Sequence, residues 1–345
     1  MLTSEFNYFL PKKLIAQFPA KTRSSSRLLV LNRLNETMMH EKSFSQIVNH
    51  LKPNDLLIFN DSEVLPSRIY GRKYETDGKV EIIALEQIED NEWKCLVKPS
   101  KRLKLGQKIL IETVNAETTA IITKELEDGI RIIKFDPGTA LKDIGTIPLP
   151  PYITKNNNDL KRYQTIYAKY PGSVAAPTAG LHFTNDLMLQ VQAIGAKIAF
   201  ITLHIGLGTF RPVKTDMIFN HTMHNERYTI SIETQKLIKN ALMNKNRIIC
   251  VGTTVMRALE ASSGQLLNPD IESCTLINDT TNIFIIPGYE FRIANCLITN
   301  FHLPKSTLLM LVSAFAKKSF VFKAYEEAIN EEYRFYSFGD AMLIV

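Results

Sequence analysis

The chain has 345 residues, 45% hydrophobic and 22% charged, ordinary globular proportions that allow a sizeable buried core. Forty-one Lys and Arg against thirty-five Asp and Glu give +6, which permits a polyanionic partner without requiring one. The longest apolar runs, near 198–203 and 308–316, fall far short of the roughly 20 residues a membrane helix needs, so no membrane partner is expected. The N-terminus lacks the basic-then-apolar form of a secretory signal. Four scattered cysteines (Cys95, Cys250, Cys274, Cys296) form no CxxC pair. Neither a disulfide framework nor a zinc knuckle is expected, and a reducing cytoplasm is the simplest home.

Residues 1–65 open like an α/β unit. Stretches 27–31 and 55–60 read as short buried strands, with Phe44, Ile47, Val48 and Leu51 at helical spacing between them. From Ser67 to Pro148 short apolar runs alternate with turn residues (80–85, 93–97, 108–112, 118–123, 131–135), the pattern of a small antiparallel barrel or sandwich. Acids and bases balance there, fourteen of each, so the positive excess lies elsewhere. Pro148-Leu149-Pro150-Pro151 forms a stiff exit, because proline disfavours helix and supplies no ladder donor. Strands (197–204, 247–251, 283–286, 296–299) and helices (185–194, 234–244, 254–262, 307–317, 322–332) then alternate, as in a mostly parallel or mixed sheet with helices on its faces. The expected architecture is a discontinuous α/β catalytic domain, 1–66 and 149–345, with an antiparallel β-barrel-like domain inserted at 67–148.

Five of the fifteen glycines fall between Gly172 and Gly208, interleaved with two of the seven histidines. The block Pro171 to Thr184, with Thr178, Gly180, His182 and Phe183, suits a rigid loop close to a ligand. A tight structural crossover accounts for it equally well. His204 leaves the carboxyl end of a buried strand, where open α/β sheets bind ligands, and Gly206 and Gly208 follow it. A satisfied core histidine is the plainer reading. His221 and His224 have no third metal ligand at helpful spacing, so no metal is expected, while Glu226 beside Arg227 suits an acid, a base or a positioning group. Strand, Gly252, then Thr253, Thr254 and Arg257 place hydroxyls and a guanidinium at a helix start, favourable for a carboxylate or phosphate, although simple capping also explains the hydroxyls. Asn300, Phe301 and His302 again follow a strand. Lys305-Ser306-Thr307 mimics the end of a P-loop without its glycines, and no GxSxG is present. Two basic stretches could meet phosphates: Pro11 to Arg27, with five Lys or Arg and no acid, and Lys98-Pro99-Ser100-Lys101-Arg102-Leu103-Lys104. Solvated surface is the ordinary fate of both.

Taken together, these blocks resemble the S-adenosylmethionine:tRNA ribosyltransferase-isomerases of queuosine biosynthesis. The resemblance rests on 57–62 with 66–68, 149–153, 162–165, 175–183, 204–213, 224–226, 252–258, 299–311 and 336–342, in order along nearly the whole chain. Asn60-Asp61-Ser62 stands where the family usually has Asn-Asp-Thr, which keeps the hydroxyl. Residues 67–148 match little beyond Arg68, Lys79-Val80-Glu81 and Lys98-Pro99. The resemblance implies transfer and isomerisation of the ribosyl unit of S-adenosylmethionine onto the aminomethyl group of a 7-deazaguanine at the tRNA wobble position. The products are epoxyqueuosine-tRNA, adenine and methionine. No separate cofactor is implied; S-adenosylmethionine is consumed as co-substrate.

That chemistry needs a base for the proton beside the sulfonium, an acid for the departing adenine, and an uncharged amine. Neutral imidazole suits such transfers. His204 or His182 is therefore expected as base, with Glu226 and Asp61 as further proton carriers. Thr253, Thr254 and Arg257 are expected on the methionine carboxylate. Thr178, Gly180, Phe183, Gly206, Gly208, Phe210, Arg211, Asn300, Phe301 and His302 are expected to line the pocket, with Phe183, Phe210 and Phe301 facing the sulfonium. Arg68, Lys98, Lys101, Arg102 and Lys104 are expected on the tRNA anticodon loop. Two other classes compete, an S-adenosylmethionine-dependent RNA methyltransferase and a non-catalytic RNA-binding protein. The first would want a Gly-rich loop after the first strand, where Asn32-Arg33-Leu34 stands.

Overall fold

A computed structural model describes residues 1–112, 117–155, 159–206, 208 and 213–345. The chain forms two units: Met1–Ser62 with Pro151–Tyr170 and Ala176–Val345, and Glu63–Pro150 with Pro171–Ala175. In chain order the early strands are β1 (Leu28–Asn32), β2 (Thr37–Glu41), β3 (Leu56–Asn60) and β4 (Ser62–Val64). There follow β5 (Arg68–Lys73), β6 (Lys79–Glu89), β7 (Glu92–Lys98), β8 (Lys108–Glu112), β9 (Glu117–Glu125), β10 (Ile130–Phe135) and the single turn α1 (Leu141–Ile144). The remainder carries β11 (Tyr170–Ser173), α2 (Asn185–Ala193), β12 (Lys197–Leu203), β13 (Glu226–Ile230), α3 (Ile232–Met243), β14 (Ile248–Val251) and α4 (Thr253–Ala261). It ends with α5 (Ser263–Leu266), β15 (Ile277–Thr281), β16 (Cys296–Asn300), α6 (Thr307–Phe315), α7 (Lys318–Asn330) and β17 (Ala341–Ile344).

The α/β unit is built on one nine-stranded mixed sheet, ordered β15-β13-β12-β3-β14-β16-β17-β1-β2. Strands β3, β14 and β16 are buried along their whole length because both faces are covered, while β12 alternates buried with half-buried positions. Leu57, Phe59, Val251, Ile298 and Leu343 share one core with Phe44, Phe183, Leu187 and Val191. Alternate positions Ile58, Cys250, Leu297 and Met342 are equally buried, and α3 and α4 pack against these strands. The four central strands run parallel. Their carboxyl ends therefore gather Asp61, His204, Gly252 and Phe301 along one edge of the sheet, the edge at which such sheets bind ligands.

Six antiparallel strands of the second unit close into a barrel, β10-β7-β6-β5-β8-β9. Period-two apolar positions fill it, among them Ile69, Val80, Ile82, Val97, Ile109, Ile122 and Ile133. Closure leaves no open sheet edge, which suits a small β unit.

Several local expectations are corrected. Residues 283–286 form no strand; Ile285 is buried, and the carbonyl of Ile283 accepts from Arg257 Nε at 3.2 Å. The helical spacing at 44–51 gives a 3-10 turn, Phe44–His50, closed by a Ser43–Gln46 capping box. Strands β2 and β15, at the two edges of the sheet, escaped the reading because their outer faces carry polar residues, and β13, between β15 and β12, because it opens on Glu226 and Arg227. No helix among the described residues is long and apolar enough to cross a membrane.

Candidate active site

A cleft opens at the carboxyl edge of β14 and β16. Its walls are Ala176–Ala179, Ile205, Gly252–Thr254, Thr299–Leu303, Ser306, Leu308, Tyr152, Tyr336 and Ser337. Gly252 joins β14 to α4 with φ +106°, a backbone setting that favours glycine, and its N–H donates to Ile298 O at 2.8 Å. No side chain caps α4, so its first N–H groups, which lack intrahelical acceptors, lie at the cleft with Thr253 and Thr254. Thr178 sits opposite, on the 3-10 turn Thr178–His182. Tyr152 and Tyr336 bring rings 4.7 Å apart to the same cleft, and Tyr152 Oη is 2.6 Å from Ser337 Oγ. Neither tyrosine was singled out from sequence. Their signal was membership of the matched blocks at 149–153 and 336–342.

The histidines differ sharply. His182 is buried, its Nδ1 2.7 Å from Ser26 Oγ and its Nε2 3.1 Å from Asn300 Nδ2, with the ring stacked on Phe44. Desolvation, with Arg334 and Arg23 nearby, pulls its pKa down to about 3. His302 lies on the cleft but is also buried; Nε2 meets Thr299 Oγ1 at 2.7 Å, and desolvation lowers its pKa to about 3. His204 is only partly buried, and its Nδ1 has no hydrogen-bond partner. Burial, helped by Arg227, lowers its pKa and so favours the neutral imidazole, while Nδ1 is itself a buried atom. It follows β12, two strands from β14, with neighbouring Ile205 on the cleft wall.

Two carboxylates lie beside this edge. Asp61 accepts from Thr202 Oγ1 at 2.6 Å, and burial raises its pKa. Glu226 is ion-paired with Arg257, both buried, and also accepts the Gly206 N–H at 3.2 Å. Arg257 therefore turns inward; it keeps one buried Nη2 without a partner and lies outside the cleft lining. Removing a partner from a buried pair typically costs about 3–5 kcal/mol, so this guanidinium is first a structural brace.

The remaining expected residues scatter. Gly180 does not line the cleft; a Cβ there would meet Tyr167 Oη at 1.9 Å. Phe183 is fully buried against Phe44 and Phe59, and the Phe301 ring joins Tyr325, Tyr333 and Phe335. Gly208 abuts the His224 ring. Phe210 and Arg211 lie outside the described residues. In the barrel, Arg68 Nε pairs with Glu81 at 3.2 Å and Lys98 approaches the same carboxylate at 3.9 Å. Lys101 and Arg102 stand exposed on the 3-10 turn Ser100–Arg102, and Lys104 reaches Glu125 at 3.3 Å. Buried Arg131 braces this turn from within, donating to the carbonyls of Ser100, Leu103, Leu126 and Ile130.

A family model described as queuosine biosynthesis protein matches residues 3–344. Relatives from Staphylococcus aureus strains Newman and COL, each named S-adenosylmethionine:tRNA ribosyltransferase-isomerase, are 47% identical over 349 residues, covering 100% of both chains. The crystal structure of the S-adenosylmethionine tRNA ribosyltransferase from Thermotoga maritima aligns over 99% of this chain and 100% of its own, at 36% identity and a TM-score of 0.56. End-to-end coverage at this identity, on the same fold, means that the chain belongs to the queuosine biosynthesis protein family.

Proposed function

We infer that this protein is an S-adenosylmethionine:tRNA ribosyltransferase-isomerase. It moves the ribosyl unit of S-adenosylmethionine onto the 7-aminomethyl-7-deazaguanine wobble base of tRNA, giving epoxyqueuosine-tRNA with release of adenine and methionine. The observation that carries this reading is the full-length identity to relatives bearing that name, joined to a cleft at the carboxyl edge of the parallel strands.

In the proposed assignment S-adenosylmethionine occupies that cleft as a consumed co-substrate. The start of α4, with Thr253 and Thr254, receives the methionine carboxylate; a charge-assisted bond of this kind contributes about 1.5–3 kcal/mol. Tyr152 and Tyr336 offer the aromatic faces a sulfonium favours, a role the packed rings of Phe183 and Phe301 cannot take. His204, neutral with an unused Nδ1, removes the proton beside the sulfonium. Asp61, its carboxyl pKa raised by burial, carries a proton to the departing adenine. Glu226 holds the Gly206 backbone in place while paired with Arg257. Lys101, Arg102, Lys98 and Lys104, with Arg68, supply phosphate contacts from the barrel.

Mass analysis after incubation with S-adenosylmethionine and precursor tRNA tests the reaction. Equal amounts of free adenine and methionine, with a matching gain on the tRNA, are expected. S-adenosylhomocysteine would make the protein a methyltransferase, and no product would leave a binding module.

A further inference from the structure

Asn300 ends β16, is 2% exposed and forms part of the cleft wall. Its Nδ2 lies 3.2 Å from Tyr336 O, 3.4 Å from Asp340 O and 3.1 Å from His182 Nε2. Turning the amide over would press its oxygen against two carbonyl oxygens, so the placement of nitrogen and oxygen is chemically determined. With Nδ2 serving those acceptors, His182 Nε2 accepts and Nδ1 carries the hydrogen, which Ser26 Oγ receives at 2.7 Å. The ring is locked further by stacking on Phe44, 4.9 Å between centroids. One atom of this cluster is left over. Asn300 Oδ1 is buried and has no hydrogen-bond donor. Buried acceptors are nearly always satisfied, and an orphan in a cleft wall marks a place where a ligand supplies the donor.

We propose that Asn300 Oδ1 is the cleft's selective acceptor for an N–H group of the sulfonium nucleoside, and that His182 is a positioning residue that aims it. The donor is either the purine 6-amino group or the α-ammonium of the amino-acid arm. This rests on the reading that S-adenosylmethionine occupies the cleft. It takes His182 out of the proton-transfer chemistry, because both ring nitrogens are engaged in holding neighbours.

The test is steady-state turnover of the full chain with precursor tRNA, with thermal melting to confirm folding. In His182→Gln the new amide oxygen accepts from Asn300 and its nitrogen donates to Ser26, yet Gln cannot act as a base. Its kcat and KM for S-adenosylmethionine should stay within about 3-fold of the parent. His182→Leu removes the acceptor and should raise KM about 10-fold, roughly the value of one hydrogen bond. A His182→Gln variant as impaired as His182→Leu overturns the positioning role.

The acceptor role is tested separately by inhibition with two S-adenosylmethionine analogues, one with hydrogen in place of the purine 6-amino group and one lacking the α-amino group. One of them should bind the parent about 10-fold more weakly than S-adenosylmethionine does. That gap should close in Asn300→Ala, and the analogue for which it closes identifies the donor. If both gaps persist in Asn300→Ala, the acceptor assignment is overturned. Parent protein that releases no adenine would instead sink the ribosyl-transfer reading itself.

Discussion

Polar side chains along the carboxyl edge of the sheet are buried and held by neighbours, whereas the cations of the barrel's Pro99–Lys104 turn stand in solvent. At the sheet edge, Glu226 and Arg257 pair out of water, and His182 and His302 are kept uncharged by desolvation. On the barrel the buried member is Arg131, whose guanidinium braces the turn by its carbonyls. Lys101 and Arg102 stand exposed outside. The contrast is the one that the two proposed tasks would require. Proton transfer at a substrate carbon needs fixed, water-poor groups of matched pKa, while phosphate contact needs mobile cations that release counterions.

The largest effect should come from His204, whose Nδ1 has no hydrogen-bond partner. His204→Ala is expected to cut turnover by about 10²–10⁴-fold while leaving S-adenosylmethionine binding within a few-fold. Near-parental kcat in that variant would mean that the available Nδ1 is incidental and that burial, rather than availability, marks the working groups.

The engaged imidazoles should show themselves through stability instead. His182 and His302 titrate near pH 3 when folded and near 6.5 when unfolded, so the unfolded chain binds more protons between those values. Their contribution is fully present above about pH 6.5 and is lost as pH falls toward 3. From pH 7.5 to 5 each histidine should cost about 2 kcal/mol. Other groups add their own pH dependence, Asp61 with the opposite sign because burial raises its carboxyl pKa, so the difference between proteins is the useful quantity. Urea unfolding of His182→Gln should lose about 2 kcal/mol less than the parent over the same interval. An equal loss in both would show that His182 is not held neutral by the fold.

The smallest effect belongs to the barrel. Lys101→Glu with Arg102→Glu should weaken tRNA binding several-fold and flatten the salt dependence by about 0.7 of a log unit per contact removed on single-stranded RNA. Lys104→Glu should do less, because Glu125 already neutralises that ammonium in the free protein. A salt slope identical to the parent's in the double variant would leave this turn as ordinary solvated surface.

Much of the framework was legible beforehand. The strands at 56–60, 248–251 and 296–300 announced themselves as apolar runs because both faces are covered, the strand at 197–203 by its apolar core of residues, and the barrel strands by their alternation. The polar loops after those strands were legible as candidate walls of a site for the same reason, and Thr178, Thr253, Thr254 and Asn300 do share one cleft. Strand β13 was not read as a strand, since Glu226 and Arg227 open it, yet Glu226, Tyr228 and Ile230 are its buried positions. Arg257 looked like a carboxylate receptor from its place one turn into α4. Nothing in the local sequence shows that Glu226, 31 residues earlier, turns it inward.

Local pattern and composition thus dictated most of the buried strands and helices and which loops reach the cleft, because periodicity and backbone propensity act over a few residues. How each imidazole is held and desolvated was decided only in three dimensions. Hydrogen-bond partners set that property, and for His182 those partners lie 118 and 156 residues away along the chain.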